Sequence, residues 1–580
     1  MKQYTQRTSG YFTPEGLRNR KFKAFSMGSI EPSTLFKNIS LLLFVFFLSP
    51  NLKAQWNFFA VELSEGDLPK DPRTTTLNQL TKESYDRKKA QGIAIDYLDI
   101  DINPRTISEI EGLGLEVVYK SRWLKTIVVA TRENSIPKSN FIKNYWLIDT
   151  MSLNKWPIKK STSIDSGHIF TKHENSGDVY GKASGISDFL GLRKLHKSGY
   201  TGKGIKVVVF DGGFSNVHKL NVFDSMKAEN RFWFYKDFSQ NSSNIFSAGQ
   251  HGTQVLSCMS AYQPGTYIGT GYGATYGIIA TETGGFESPL EEWAWIQGLE
   301  EADRLGADII QCSLGYTTFD NPEFNHTNAQ LAQSNSPMFR AAKIAAEKGI
   351  LLVNSAGNEG DGKWKYVGFP SGSENIIAVA AAFPNGEIAD FSSHGYPTGF
   401  SKPNVTAIGV KTPCISSSGH VVGATGTSFA APSLAGGMTC LMQLYPNRKP
   451  EFYMQLLRAI SNHSLKHDTR SGYGIPNFSL ALNYSIPNSK MPFYSVNSNL
   501  DTLYQGQEIK TFRKPCKKYK VKLTNRKGNW STFYFEDINE LCKGAVLGYL
   551  PEGNYTLIIR QGLKRWKKKI YFAASESIDN

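Results

Sequence analysis

Four polar residues spread along the chain have the types that together perform nucleophilic catalysis. Ser428 stands in the small-residue stretch GTSFAAPSLAG at 426–436, which by itself is equally typical of a tightly packed helix start. A serine hydroxyl is a weak nucleophile and needs a neighbouring base. His251 can be that base near neutral pH, and Asp211 can orient its imidazole. Asn358 offers a side-chain N–H to the oxygen that becomes negative during attack.

Each of these residues also has an ordinary structural interpretation. An Asp after a strand is often a turn residue or a helix cap, a lone His is often a hydrogen-bonded core residue, and an Asn between Gly and Glu is often a turn. A shared catalytic role is favoured over these structural roles because of where the residues stand. Asp211 ends the strand VVVFD, His251 begins the helix HGTQVL, and Asn358 follows the strand ILLVNS. In doubly wound sheets, functional residues gather at the carboxyl ends of the strands.

The elements that must position these residues alternate between buried strands and amphipathic helices. Continuous apolar strands between helices predict a parallel sheet covered by helices on both faces. Predicted strands are 205–210, 275–280, 307–313, 350–355 and 376–382, and predicted helices are 252–262, 290–305, 339–348, 428–444 and 451–462. Pro432 lacks an N–H and is expected in the first turn of its helix, close to Ser428. Trp293 and Trp295 are interpreted as packing residues.

These stretches resemble the subtilisin-like serine peptidases, or subtilases. The resemblance rests on VVVFDGGF, HGTQVLS, SLGY, NSAGNEG, ADFSSHG, GTSFAAP and GYGIPN, and covers about 178–477. It implies a three-layer α/β fold and a serine endopeptidase that forms an acyl-enzyme. It also implies that Ser428 is the nucleophile, His251 the general base and then acid, Asp211 the orienting carboxylate, and Asn358 the oxyanion donor.

The resemblance further implies a cleft in which extended backbone pairs with a bound peptide. Its residues would be Ser313, Leu314, Gly315, Ser355, Ala356 and Gly357. Gly368 resembles the small residue at the floor of the primary specificity pocket, where a glycine leaves room for a large apolar side chain. Gln311, Tyr396 and Asn404 differ from residues frequent in relatives. No cofactor is required for this chemistry, no metal site is assigned, and a structural calcium ion cannot be placed from the sequence.

Residues 1–54 are interpreted as a signal-peptide region, with Met27 as a more ordinary start. The apolar run at 39–48 is too short to span a bilayer and fits a secretory signal. Residues 55–177 combine a small α+β unit with a polar linker. Strand-like segments are predicted at 93–100, 115–119 and 126–130, and a helix at 105–113. The resemblance implies that this unit, including SRWLKT at 121–126, is an inhibitory propeptide ahead of a catalytic domain at 178–487.

The last region, 488–580, is basic. Positions 501–580 hold 16 Lys and Arg against 8 Asp and Glu, a net charge of +8 within a formal total of +15. Alternating strands at 519–523, 530–535, 555–559 and 568–572 predict a small β-sandwich. It weakly resembles the sorting domains of secreted Bacteroidetes-type relatives. Its basic face could contact secretion machinery or the cell surface, or could simply be solvated.

The six cysteines are compatible with a secreted protein. Cys516 and Cys542 could form a disulfide in an oxidising compartment. Cys258, Cys312 and Cys440 lie in apolar stretches and are predicted to be buried, whereas Cys414 stays undecided. The expected location is outside the cell, at the cell surface, or in the periplasm of a Gram-negative bacterium. The expected partners are polypeptide substrates and the chain's own propeptide, with no nucleic acid.

Three other functions remain open from the sequence. The first is an inactive relative that only binds peptides, which is disfavoured because inactive relatives usually lose one of the four catalytic residues. The second is a polyanion or surface binder whose active part is the basic C-terminal region. The third is an esterase, which the peptide-pairing cleft disfavours.

Overall fold

The computed structural model describes residues 55–64, 79–152, 177–239, 244–283, 285–333, 335–464 and 466–483, and the backbone of short strands at 168–169 and within 502–573. The signal-peptide prediction for 1–54 and the Cys516–Cys542 pairing lie outside the described residues. Among the described residues, no helix is both long and apolar enough to cross a bilayer.

An antiparallel sheet with two helices forms the N-terminal part of the described chain. Its elements are β1 (Gln55–Leu63), α1 (Lys82–Ala90), α2 (Pro104–Gly112), β2 (Glu116–Ser121), β3 (Thr126–Thr131) and β4 (Ile142–Ser152). The strand order is β2-β3-β1-β4. Side chains alternate between its two faces. Phe59 and Val129 pack with α2, whereas Phe58 and Val128 belong to the core shared with the helices of the main sheet.

The strand predicted at 93–100 is wrong. Residues 97–99 form a single 3-10 turn, because the Asp96 side chain accepts from the Leu98 N–H and Asp99 accepts from the Asp96 N–H. Alternating apolar residues suggested a strand, but these local side-chain hydrogen bonds give the backbone a different set of partners. The other segments predicted here are confirmed to within two or three residues, whereas β1, α1 and β4 had not been predicted.

The next part of the chain alternates strands and helices. Its elements are β5 (His168–Ile169), α3 (Ser184–Phe189), α4 (Arg193–Lys197), β6 (Lys206–Asp211), α5 (Asp224–Ala228), β7 (Phe232–Asp237), α6 (His251–Ser260), β8 (Tyr262–Gln263), β9 (Tyr267–Ile268), β10 (Thr275–Ala280), α7 (Leu290–Leu305), β11 (Ile309–Cys312), α8 (Pro337–Glu347), β12 (Leu351–Ser355), β13 (Ile376–Ala382), β14 (Val405–Ile408), β15 (Thr412–Ile415), β16 (Val421–Ala424), α9 (Thr427–Leu444) and α10 (Pro450–Ala459).

Seven of these strands form one parallel sheet, in the order β14-β13-β12-β11-β6-β10-β7. Val207 and Val209 of β6 belong to the core under α6 and α9, and Val208 and Phe210 belong to the core under α7 and α8. Burial on both faces explains why the strands are apolar throughout. The predicted three-layer fold is therefore confirmed, while the edge strands β7 and β14 had been missed.

Several packing predictions are confirmed as well. Trp293 and Trp295 of α7 are buried, and the Trp295 ring meets Phe210 edge-on with centroids 6.5 Å apart. Cys258, Cys312 and Cys440 are buried free thiols, and the undecided Cys414 is a fourth.

The C-terminal strands form a single sheet among the residues that the structure describes. They are β17 (Thr502–Tyr504), β18 (Tyr519–Asn525), β19 (Trp530–Phe535), β20 (Gly553–Gln561) and β21 (Lys564–Ala573), in the order β17-β21-β20-β18-β19. The four predicted strands are present, with β17 in addition. A second layer, as in a sandwich, is not among the described strands.

Candidate active site

Asp211 and His251 meet where β6 ends and α6 begins. The His251 Nδ1 lies 2.9 Å and 3.0 Å from the two carboxylate oxygens of Asp211, which is 1% exposed. Because a carboxylate only accepts hydrogen bonds, Nδ1 must carry the proton, so Nε2 of the neutral imidazole is the basic nitrogen. The His251 side chain is 36% exposed and can be reached from solvent.

Glycines allow the close approach of these two elements. A Cβ on Gly252 would lie 2.5 Å from the Gly213 carbonyl oxygen and 2.9 Å from the Asp211 Cβ. The backbone N–H of Gly252 donates to that same Gly213 carbonyl at 3.2 Å. The glycine of the His-Gly pair is therefore explained by the short distance between α6 and the end of β6.

Ser428 is the second residue of α9, directly before a side chain that contacts His251. The imidazole contacts the ring of Phe429, the residue after Ser428, with centroids 5.6 Å apart and planes at 62°. The Ser428 side chain is largely buried, and its Oγ donates a long hydrogen bond of 3.4 Å to the Ser313 carbonyl. Nucleophile contacts are often loose before substrate binds. Three separate elements thus bring Asp211, His251 and Ser428 to one place.

Pro432 lies inside α9 rather than in its first turn, so that expectation is wrong. The helix begins at Thr427, and proline has no N–H to donate to the Ser428 carbonyl one turn earlier. The Ser313 Oγ donates to this carbonyl instead, at 2.8 Å, and accepts from the buried Gln311 Nε2 at 2.7 Å. A side-chain relay therefore replaces the missing helical bond and fixes the backbone of the serine.

Asn358 follows β12 and is oriented by Thr427. Its Oδ1 accepts from the Thr427 backbone N–H at 2.9 Å and from the Thr427 hydroxyl at 3.0 Å. The same hydroxyl accepts from the Gly357 N–H at 3.2 Å. With Oδ1 held, the Nδ2 amino group is available to donate to another oxygen. Sequence reasoning missed the role of Thr427, whose only signal was its position beside Ser428, and noted Gln311 as a departure from relatives without assigning it a role.

The predicted cleft residues fall into two groups. Gly315 is exposed and Leu314 and Gly357 are half-buried, so their backbone is near solvent. Ser355 and Ala356 are buried, and the Ala356 N–H donates within the sheet to the Val379 carbonyl at 3.0 Å. Of the six predicted cleft residues, only Leu314, Gly315 and Gly357 therefore lie near solvent. Ser313 is buried, and its hydroxyl donates to the Ser428 carbonyl.

Gly368 lies where two chain segments pack closely. The neighbouring Phe369 pairs with Tyr316 through hydrogen bonds of 2.8 and 3.1 Å. A Cβ on Gly368 would lie 2.9 Å from the Thr317 Cγ2. A larger residue at this position would therefore press on the Thr317 side chain and the Tyr316 carbonyl, so close packing favours glycine here.

Three carboxylates form a second acidic group near Asp211. Oxygens of Glu282, Glu287 and Glu291 all lie within 4.8 Å of one another. Burial raises the pKa of Glu282 to about 8, and its carboxylate accepts from the Tyr316 hydroxyl at 2.6 Å. Burial also raises the pKa of Glu291. Oxygen ligands of this kind suit calcium, so among the described residues this is the group that could hold a cation.

The N-terminal sheet is tied to α7 by buried charges. Asp303 of α7 pairs with Arg87 at 2.6 Å, Lys88 at 2.5 Å and Arg122 at 3.3 Å. Burial alone would raise the pKa of Asp303, but these three cations lower it well below its ordinary value. A buried charge without its partners costs free energy, so these ion pairs hold the N-terminal sheet and α7 in one arrangement.

The stretch 121–126 makes the second contact with α7. Glu300 accepts from the Ser121 hydroxyl at 2.6 Å and from the backbone N–H groups of Arg122 and Trp123 at 2.9 and 3.2 Å. Burial raises the pKa of Glu300 to about 7, although Arg122 and these hydrogen bonds act to lower it. The SRWLKT stretch is therefore part of the surface through which the N-terminal sheet contacts α7.

An α/β sheet with Asp, His and Ser converging at its edge defines the class of serine hydrolases. Residues 202–475 match the model of the subtilase family, and residues 65–165 match that of the peptidase S8 propeptide domain of Bacteroidota. The chain therefore carries a subtilase-family peptidase domain and a peptidase S8 propeptide domain, and is a serine endopeptidase.

Individual relatives are moderately similar. Subtilisin E of Bacillus subtilis (strain 168) is 28% identical over 298 residues, which cover 50% of this chain and 68% of the relative. Subtilisin of Bacillus pumilus is 28% identical, over 43% of this chain and 82% of the relative. Among solved structures, the prenylagaramide maturation protease PagA is 23% identical, with a TM-score of 0.40 over 50% of this chain and 97% of that chain. Subtilisins need no cofactor for catalysis and often bind calcium.

Proposed function

We propose that this chain is a secreted endopeptidase that cleaves peptide bonds with Asp211, His251 and Ser428, assisted by Asn358. The observation that supports this most directly is the 2.9 Å contact between the His251 Nδ1 and the buried Asp211 carboxylate, beside the helix that carries Ser428 as its second residue. The arrangement supplies a nucleophile, a base whose lone pair is on Nε2, and a carboxylate that stabilises the imidazolium.

Catalysis begins when the Ser428 hydroxyl turns from the Ser313 carbonyl towards His251. The Nε2 takes the hydroxyl proton as Oγ forms a bond to the carbonyl carbon of the substrate. The carbonyl oxygen becomes negative and accepts from the Asn358 Nδ2 and the Ser428 backbone N–H, at the positive end of α9. His251 then gives its proton to the departing amine, and an acyl ester on Ser428 remains.

Water completes the reaction by the reverse sequence. His251 takes a proton from the water, the resulting hydroxide attacks the ester carbonyl, and the serine oxygen leaves with the proton that Nε2 carries. The product acid departs and the enzyme is restored. Apart from the substrate and water, each step uses only side chains of this chain and the Ser428 backbone N–H, and no metal or cofactor takes part.

The substrate is proposed to bind as an extended strand along Ser313, Leu314 and Gly315 on one side and Ser355, Ala356 and Gly357 on the other. Gly368 is proposed to lie at the floor of the primary pocket, which then prefers a large apolar side chain before the scissile bond. A peptide library in which Asp or Gly is preferred at that position would contradict the pocket assignment.

The domain organisation is proposed to be that of a zymogen. Residues 1–54 direct secretion, 55–177 inhibit and assist folding, 178–487 catalyse, and 488–580 contact secretion machinery or the cell surface. The propeptide match at 65–165 and the buried contacts of the N-terminal sheet with α7 support the inhibitory role. The charge of the last region supports surface contact.

Labelling with a fluorophosphonate probe tests the catalytic proposal. Wild type is expected to be labelled on Ser428, and Ser428→Ala to be unlabelled and inactive with its propeptide attached. Ser418→Ala is the matched control, since Ser418 is an exposed serine of the same region. A folded, processed wild type that takes no label would contradict the proposal and favour a peptide-binding relative.

A further inference from the structure

The pocket proposed to hold the side chain before the scissile bond is bordered by three segments of the chain. Each segment contains residues that the sequence predicts for the cleft or for the pocket floor. The segments are 313–316, 354–357 and 368–372. The last is a tight turn, because the Gly372 N–H donates to the Gly368 carbonyl at 2.9 Å. The width of such a pocket depends on the contacts that join its segments.

Hydrogen bonds join the turn to each of the other two segments. Tyr316 of the first segment and Phe369 of the turn exchange backbone hydrogen bonds of 2.8 and 3.1 Å. The Ser371 hydroxyl of the turn donates to the Ser355 carbonyl of the second segment. The first and second segments are the two walls of the cleft, and a third contact must set the distance between them.

The side chain of Asn354 makes this third contact. Strands β11 and β12 pair as far as Cys312 and Asn354, so the two walls begin where the strand pairing stops. The Asn354 Nδ2 donates to the Leu314 carbonyl of one wall at 2.8 Å and to the Ser355 carbonyl of the other at 3.1 Å. It also donates to the Ser371 Oγ at 2.8 Å. A single amino group therefore contacts all three segments around the pocket.

This amide also carries a cost. Asn354 is 2% exposed, and its Oδ1 is buried without a hydrogen-bond partner among the described residues. An unpaired buried acceptor costs free energy that an apolar side chain of similar size would not. The amino group, in contrast, is shared among three acceptors. A polar residue at this buried position is therefore explained by the segments that its amino group joins.

We propose that Asn354 fixes the distance between the two walls of the primary pocket and thereby determines which size of side chain the enzyme accepts before the scissile bond. The inference rests on the proposed endopeptidase activity and on the pocket assigned to Gly368. Asn354 acts through the carbonyl groups that it holds, so it is a positioning residue rather than a catalytic one. Walls held at a fixed distance discriminate by size, because a side chain that is too small leaves part of the pocket unfilled.

Two peptides that differ only at the residue before the scissile bond, Phe in one and Ala in the other, test the inference with the mature enzyme. In Asn354→Ala the walls lose their common donor and the pocket adapts to its occupant. The ratio of kcat/KM for the Phe peptide to that for the Ala peptide is therefore expected to move towards equality by about 5-fold or more. The rate of labelling by a fluorophosphonate is expected to stay within about twofold of wild type, because the catalytic residues are unchanged.

Ser371→Ala is a milder variant that keeps the test decisive if Asn354→Ala does not fold. Its ratio is expected to move in the same direction by a smaller factor, and the two effects should not add in the double variant because both residues act on the Ser355 carbonyl. Ser373→Ala is the matched control. Ser373 is as buried as Ser371 and follows the same turn, but its hydroxyl accepts from the Asn375 N–H at 3.4 Å instead of joining the walls. Its ratio should equal that of wild type.

The outcomes separate this inference from the proposed function. A folded Asn354→Ala or Ser371→Ala enzyme with the wild-type ratio would overturn the inference, and so would an equal loss of both peptide activities and of labelling. A change of the ratio in Ser373→Ala as large as that in Ser371→Ala would overturn it as well. A processed wild type that takes no fluorophosphonate and cleaves neither peptide would instead refute the endopeptidase activity, and the inference with it.

Discussion

The proposed catalytic residues are held in place by neighbouring residues outside the Asp-His-Ser triad. Thr427 holds the oxygen of Asn358 through its backbone N–H and its hydroxyl, and so decides which end of that amide is available. Gln311 reaches the Ser428 backbone through Ser313. A polar relay of this kind confines the nucleophile and the oxyanion donor to one orientation each, which is the preorganisation that catalysis requires.

Thr427→Val should lower kcat by about 5- to 10-fold with little change in KM, because Asn358 loses one of two donors that orient it. The loss should stay below the roughly 10²- to 10³-fold cost of removing an oxyanion donor outright, as in Asn358→Ala. Steady-state kinetics on a soluble peptide measure this. Thr427→Ser keeps the hydroxyl and should retain near-normal kcat; an equal loss in Thr427→Ser would show that shape rather than the hydrogen bond matters.

At the scale of elements, α7 joins two parts of the molecule. One side carries apolar residues of the main core, such as Leu299 and Trp295, and another carries Glu300 and Asp303 against the N-terminal sheet. The contacts are charged and buried, so they are strong only while every partner is present. The helix therefore provides both the packing surface of the sheet and the docking surface of the propeptide.

Asp303→Asn should weaken propeptide docking by about 3–5 kcal/mol, because Arg87, Lys88 and Arg122 would be left buried without their common partner. Thermal unfolding of the uncleaved chain in a Ser428→Ala background measures the effect as a lower or split transition. Glu301→Gln is the control on the same helix, since its ion pairs with Lys236 and Arg304 are partly exposed and worth at most about 1 kcal/mol. Equal effects of the two changes would contradict the assignment.

Propeptide retention should weaken as pH rises from about 5 to 8. Burial raises the pKa of Glu300 to about 7 from its ordinary value of 4.5. When docked, Glu300 binds a proton more readily than when the propeptide has left and solvent reaches it, so docking is strongest below this window and weakens through it. Asp303 and Asp101 face the same Arg122; the lowered pKa of Asp303 places its titration at more acidic pH.

Co-elution of the cleaved propeptide with the enzyme in gel filtration measures this pH dependence. Glu300→Gln cannot titrate and should show a flatter profile than wild type. Retention of the wild-type complex that increases with pH, or an equally steep profile in the variant, would be evidence against Glu300 as the titrating group.

At the scale of the whole molecule, the proposed catalytic residues and the basic C-terminal strands lie in different regions of the chain. The four catalytic residues all lie between β6 and α9, and the basic C-terminal strands form a sheet of their own. A chain ending at residue 487 should therefore cleave soluble peptides with a kcat/KM within about twofold of the full chain, while losing any retention at the cell surface. Parallel assays of both chains in culture fluid and cell fractions test this, and a large loss of kcat/KM would assign the region a role in folding or catalysis.

The sequence alone was sufficient for the main sheet, most of its helices and the family. Strands buried on both faces must be apolar throughout, so β6, β10 and β13 were visible as uninterrupted runs. Edge strands such as β7 carry a weaker pattern and were missed. The turn at 97–99 was misread because Asp96 and Asp99 supply hydrogen bonds that a period-two pattern does not reveal.

Residue type and order along the chain predicted Asp211, His251, Asn358 and Ser428 as catalytic residues, because each stands in a short stretch with a recognisable local pattern. Only the tertiary structure decided which residues support them. Thr427 lies against Asn358, Ser313 donates to the Ser428 carbonyl, and His168–Ile169 pairs with β16, and each of these contacts joins parts of the chain far apart in sequence. Such contacts depend on how sheets and helices pack, which no local pattern encodes.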